Sequence, residues 1–111
     1  MSSQDLERGA GQTEGWGRQP IFETGPRLAL CALLQGAKWV DFATARDMLG
    51  ASDSAISKHS RTLEDAGYLE VRKGSVGRRP RTWFRLTDDG QAALRGHLDW
   101  LSRLRDTLEP T

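Results

Sequence analysis

Cysteine is nearly absent from this sequence. Cys31 stands alone, so no internal disulfide forms, and no Cys/His set has the spacing of a metal site. Neither a metal nor another cofactor is expected. Apolar runs of about 18 residues, the length of a membrane span, are also missing. The N-terminus lacks the basic and apolar regions of a secretory signal, so a cytoplasmic protein is expected. No Ser/His/Asp grouping, phosphate loop or plausibly placed carboxylate pair occurs, which argues against an enzyme. At 111 residues the chain has room for one domain with a modest core.

What is present is charge, and it is segregated. The net charge is only +1, yet Arg72, Lys73, Arg78, Arg79, Arg81 and Arg85 follow one another with no acid between them. From Asp88 onward five acids face three arginines. One side of the molecule therefore attracts a polyanion, and a uniformly basic, non-specific binder is disfavoured.

Residues 1–19 are rich in Gly, Ser, Gln and charge, with Leu6 and Trp16 as their only large apolar side chains, and read as a disordered arm. The domain is expected over 20–111. Gly25-Pro26 opens a first helix, whose apolar residues go nearly all round, which suggests a partner subunit on one side. Trp39-Val40 reads as a very short strand. Asp41 then caps a second helix that ends at Gly50. Ser52 caps a third, which runs to Ala66 and stops at Gly67; Ile56, His59, Leu63 and Ala66 form its inward stripe. Tyr68–Lys73 and Thr82–Leu86 read as strands joined by Gly74–Gly77 and an Arg78-Arg79-Pro80-Arg81 tip. Thr87-Asp88-Asp89 starts a last helix over about 88–108, with an apolar stripe of Leu94, Leu98, Leu101, Leu104 and Leu108. The short link between the second and third helices is a helix-turn-helix signal, and the basic hairpin after it strengthens the reading. The fold class is α+β, mainly α with a small β-hairpin.

Two sets of residues point to DNA. In the third helix Ser54, Ser57, Lys58 and Arg61 lie away from the apolar stripe, where hydroxyls and a guanidinium can reach base edges or phosphates in the major groove. Taken alone they equally fit a solvated face, with Arg61 paired to Asp65. On the hairpin, Arg72, Lys73, Arg78, Arg79 and Arg81 concentrate charge without neighbouring carboxylates, and phosphates supply the missing anions.

These residues carry a family resemblance. Ser57-Lys58-His59 with Leu63-Glu64-Asp65-Ala66-Gly67-Tyr68-Leu69 resembles the recognition helix of winged helix-turn-helix regulators of the MarR and PadR groups, in their short single-domain bacterial form. The run from Val71 to Gly74, then Gly77-Arg78-Arg79-Pro80-Arg81-Thr82 through Thr87, is similar to their wing. Over about residues 25 to 105 the resemblance implies a homodimeric transcription factor on a roughly palindromic operator of double-stranded DNA. It departs at Ser60, where leucine is common.

The remaining candidates have two readings each. His59 is a packed, hydrogen-bonded histidine or a sensor; Cys31, among leucines, is a small hydrophobe or a redox group. Trp39 and Trp100 belong to core or interface, or they line an effector pocket against the first helix across a dimer. Leu30, Leu33, Leu98, Trp100, Leu101, Leu104 and Leu108 are the expected dimer interface, since the last helix carries more leucine than so small a domain can cover. The expectation is a homodimeric repressor, open to a small-molecule effector. The alternative is a winged-helix protein–protein interaction module without sequence-specific DNA binding.

Overall fold

A computed structural model describes residues 17–108. A single 3₁₀ turn at Pro20–Phe22 precedes α1 (Gly25–Leu34), β1 (Val40–Asp41), α2 (Phe42–Leu49), α3 (Asp53–Asp65), β2 (Leu69–Val76), β3 (Arg79–Leu86) and α4 (Asp88–Leu108). The strands form one antiparallel sheet in the order β1-β3-β2. This is the α+β winged helix-turn-helix architecture with an added C-terminal helix.

The helix ends follow from local chemistry. Asp41 accepts from the Thr44 amide at 3.4 Å to start α2, and Gly50, at φ 61°, closes it in the left-handed conformation. Two residues later Ser52 Oγ accepts from the Ala55 amide at 3.1 Å and opens α3. Gly50–Ser52 is thus the whole turn of the helix-turn-helix. Beyond α3, Gly67 (φ 80°) donates to the Glu64 carbonyl and Tyr68 to that of Leu63, which turns the chain into β2. Thr87 Oγ1 accepts from the Gly90 amide at 2.9 Å and donates to the Gly67 carbonyl at 2.7 Å, so it caps α4 and ties it to the end of α3.

The core lies where α1, α3 and α4 meet the inner face of the sheet. Leu30, Cys31, Leu34, Ile56, Leu63, Leu69, Phe84, Leu86 and Leu94 are buried there, with Ala45 from α2. In α3 the inward stripe differs from expectation at both ends of its C-terminal half. Ala66 is exposed at the cap, whereas Ser60 is buried, with its hydroxyl donating to the Ser57 carbonyl at 3.1 Å.

The hairpin is longer and its turn tighter than the glycines suggest. Pairing runs from Leu69↔Leu86 to Val76↔Arg79, so only Gly77 and Arg78 remain as the turn. Gly77 takes φ 62°, which suits a two-residue hairpin turn. Gly74 does not break β2. It sits opposite Arg81, and the Trp83 ring fills the space that a side chain there would need, 3.1 Å from an ideal Cβ.

The N-terminal segment is part of the body. Phe22 is buried between Tyr68 and His97, with ring centroids 5.8 and 5.6 Å away. The Gln19 amide donates to His97 Nδ1 at 3.0 Å, and Tyr68 OH donates to Gln19 Oε1 at 2.9 Å. The end of the expected arm, Gly17–Gln19, is therefore held against α4; residues 1–16 of it lie outside the described residues. No described helix is long and apolar enough to cross a membrane.

Candidate nucleic-acid interface

The structure exposes Ser54, Ser57, Lys58 and Arg61 on one side of α3, opposite the buried Ile56 and Leu63. Ser54 Oγ is 3.3 Å from the capping Ser52 Oγ. Asp53, the acid of the first turn, pairs with Arg46 Nη1 at 2.9 Å, and Arg46 Nε pairs with Asp47 at 2.9 Å as well. Among the described residues Arg61 makes no ion pair, so the pairing with Asp65 does not form.

The wing's charge is sorted by strand register. Residues directly opposite in an antiparallel ladder share a face. Leu69, Val71, Phe84 and Leu86 define the core face, to which Lys73 and Thr82 also belong. Arg72, Arg79, Arg81 and Arg85 fall on the other face, and Arg78 is in the turn.

Three of these arginines have partners that the sequence did not suggest. The Arg72 guanidinium stacks over Trp39 at 4.5 Å from the ring centroid, and that of Arg85 does so at 5.1 Å. Arg85 also pairs with Glu70, and Arg81 Nη1 lies 3.6 Å from Asp41 Oδ2. The wing is therefore not free of carboxylates, as its local sequence implied. Arg72, Lys73, Arg78 and Arg79 have no ion pair among the described residues, so unneutralised charge sits at the tip, on the α3 side and, at Arg72, over Trp39.

The expected interface residues divide. Leu30 is fully buried in its own chain's core and Leu33 packs half-buried against that core, because α1 is covered by its own sheet and helices. Leu30 has no surface left for a partner. Leu98, Leu104 and Leu108 on α4 are exposed, and Trp100 and Leu101 are half-buried beside them. The two tryptophans of the expected effector pocket have different neighbours. Trp100 packs on His97 at 5.3 Å, under the Arg18 guanidinium, whereas Trp39 lies on the outer face of the sheet beside Trp83 and Arg72, along a cleft of about 240 Å³. A single chain does not bring them together.

Burial controls the titratable groups inside. It pushes the Cys31 thiol up to about 12, which keeps it protonated and inert. Burial also holds His97 below the ordinary histidine value; Glu23 opposes this and Arg18 adds to it. His59 is lowered by burial and then by Arg27 and Lys58. Its Nδ1 has no hydrogen-bond partner among the described residues, unlike the bonded histidine expected. Nor does any described group of three His, Cys, Asp or Glu side chains have the geometry to hold a metal ion.

A three-helix body with its second and third helices joined by a tight turn is thus followed by a hairpin with basic residues at its tip. A family model described as a winged helix DNA-binding domain matches residues 27–105. The chain belongs to that family. Among curated relatives, an uncharacterised protein of Methanocaldococcus jannaschii is 26% identical over 89 residues, covering 80% of this chain and 97% of the relative. The winged-helix fold is shared with a transcriptional regulator homologue from Pyrococcus horikoshii, at a TM-score of 0.75 and 22% identity, covering 96% of this chain and 99% of that one. It is shared also with the PcaV transcriptional regulator of Streptomyces coelicolor, solved with its natural ligand (TM-score 0.64, 22% identity, 96% and 77% covered). A third is the MosR regulator of Mycobacterium tuberculosis, solved with DNA (TM-score 0.64, 16% identity, 96% and 76% covered). As a winged-helix DNA-binding protein the chain works by binding rather than by turnover.

Proposed function

We propose that this winged-helix protein is a homodimeric, sequence-specific transcription repressor. The observation that carries the reading is the pairing of a polar, exposed α3 face with unneutralised cations at the wing tip. Ser54, Ser57 and Lys58 enter the major groove, where small hydroxyl side chains allow close approach and an ammonium can reach guanine. Arg78 and Arg79 follow the backbone into the neighbouring minor groove. Two copies meet through the exposed stripe of α4, Leu98, Leu101, Leu104 and Leu108, flanked by Trp100, and a two-fold axis there sets two recognition helices roughly 34 Å apart, one turn of DNA. Such spacing requires a nearly palindromic operator. Response to a small-molecule effector belongs to the same reading, supported by the ligand-bound regulator that shares the fold.

Fluorescence polarisation on the DNA upstream of the protein's own gene tests this. The expected result is nanomolar, salt-sensitive binding that resists non-specific competitor. Arg78→Ala with Arg79→Ala weakens binding to all sequences and flattens the salt slope, whereas Ser57→Ala or Lys58→Ala changes preference among sequences. Leu104→Asp with Leu108→Asp yields a monomer in sedimentation. Absence of salt-sensitive DNA binding by the wild-type protein refutes the proposal and leaves the protein-interaction module.

A further inference from the structure

A body that sets a helix in the major groove and a hairpin in the adjacent minor groove straddles the sugar–phosphate strand between them. That strand has to cross the gap between α3 and the core-side face of the wing. A groove of about 210 Å³ lies there. Ser57 and Arg61 line it from the helix, Lys73 and Thr82 from the sheet. Lys73 and Thr82 are direct partners in the ladder, so both side chains leave the sheet on the same side, toward Arg61. Lys73 is the only wing cation that the register sends to this side. Two cations and three hydroxyl residues, Ser60 among them, thus line one hollow together with Phe42, Val71 and Phe84, with no ion pair to either cation among the described residues.

Two features of this sequence shape the hollow. Ser60 lines it, and its short side chain folds back on the Ser57 carbonyl. A leucine at this position, common in the regulators that the chain resembles, would extend into the groove. Glu64 lines it a turn beyond Arg61, and is the one acid there.

We infer that this groove is the seat of a single DNA backbone phosphate, clamped between Arg61 and Lys73, and that Arg61 fixes the protein's position on the duplex rather than reading a base. The inference rests on the DNA-binding reading above and gives Arg61, which the sequence leaves open between base edges and phosphates, to the phosphates. Sequence preference then falls to the N-terminal part of α3, to Ser54, Ser57 and Lys58. Glu64 opposes the same phosphate and tempers affinity.

The test uses the full chain and two labelled duplexes, one enriched from a random pool by the wild-type protein and one scrambled, titrated between about 50 and 200 mM salt. Arg61 and Lys73 are exposed, so their variants keep the fold. Arg61→Ala and Lys73→Ala each weaken binding to both duplexes by the same factor, roughly tenfold, and each lowers the slope of log K against log salt by about 0.9. Arg61→Lys restores the slope, Glu64→Gln tightens both duplexes, and Ser60→Leu weakens both. If Arg61→Ala changes which sequence is enriched, or leaves the salt slope intact, the assignment is wrong. If the wild-type protein binds neither duplex in a salt-sensitive way, the DNA-binding reading itself has failed and the inference falls with it.

Discussion

Alanine at Gly90 and alanine at Gly96 are expected to move stability in opposite directions, although both lie in α4. Glycine inside a helix costs about 0.8–1 kcal/mol relative to alanine, so either change on propensity alone stabilises. At Gly96 nothing opposes the gain, because an ideal Cβ meets only Gly17, 3.5 Å from its carbonyl oxygen, which is ordinary contact. At Gly90 the same atom lands 2.1 Å from the Tyr68 carbonyl oxygen and 2.9 Å from its carbon, both backbone atoms. The helix or the entry to β2 must then shift by most of an ångström. That oxygen accepts from the Thr87 amide at 3.1 Å, and Thr87 also bonds the Gly67 carbonyl, so the shift loads both links between α3 and α4. Overpacking of this kind costs about 1–3 kcal/mol, and each strained bond adds about 0.5–1.5 kcal/mol. The net for Gly90→Ala is a loss of about 1–5 kcal/mol; for Gly96→Ala it is a gain of about 0.5–1 kcal/mol. Urea unfolding at fixed protein concentration reads both, and for a domain of this size each kcal/mol moves Tm by about 4–8 °C. Equal midpoints for the two variants would refute the packing of α4 against Tyr68.

Three further outcomes follow from the buried groups and the sheet face. His97 is held below its ordinary value, chiefly by burial, so the unfolded chain takes up its proton first as pH falls. Its stabilising contribution is complete above about pH 6.5 and is lost below it. The urea midpoint should drop from pH 7.5 toward 5.5, and less so in His97→Phe, where the Gln19 bond is already gone. Cys31, with its thiol pushed up to about 12, should stay silent toward a thiol-reactive dye in the native protein and react fully in denaturant. Trp39→Leu removes the ring beneath two guanidiniums at about 0.5–1 kcal/mol each, so unfolding should cost about 1–2 kcal/mol less.

The helix boundaries are legible in the sequence because their determinants are local. Asp41, Gly50, Ser52 and Gly67 act through hydrogen bonds and φ angles within a few residues, and the structure uses each of them as read. The faces of the wing are legible too, since Leu69/Val71 and Phe84/Leu86 alternate inward and Trp83 outward with Arg81 and Arg85, but the length of its strands is not, because it depends on which two residues turn. Side chains alternate with a period of two, so the inward Leu69 and Val71 also put Lys73 on the inner face and Arg72 on the outer one. Gly74 looks like a breaker until Trp83 is seen lying over it. The buried place of Leu30 is hidden for another reason. The apolar residues of α1 go nearly all round, and periodicity alone does not say which side the sheet covers. The role of Phe22 is hidden by distance, since the apolar pair Ile21-Phe22 is visible but its partners, Tyr68 and His97, lie far along the chain.

That distance has a consequence for how the chain is made. The bond from Gln19 to His97 spans 78 residues, and Phe22 finds its burial only between β2 and α4. During synthesis α1, α2, α3 and the hairpin all emerge before the helix that carries His97. Until then Phe22 has one of its two ring neighbours and no latch over it. These contacts join the first described residues to α4, so the native body closes only once α4 has emerged. A chain ending before α4 would leave uncovered the edge of Phe22 and the parts of α1 and β3 on which α4 packs, apolar surface of the kind that drives aggregation.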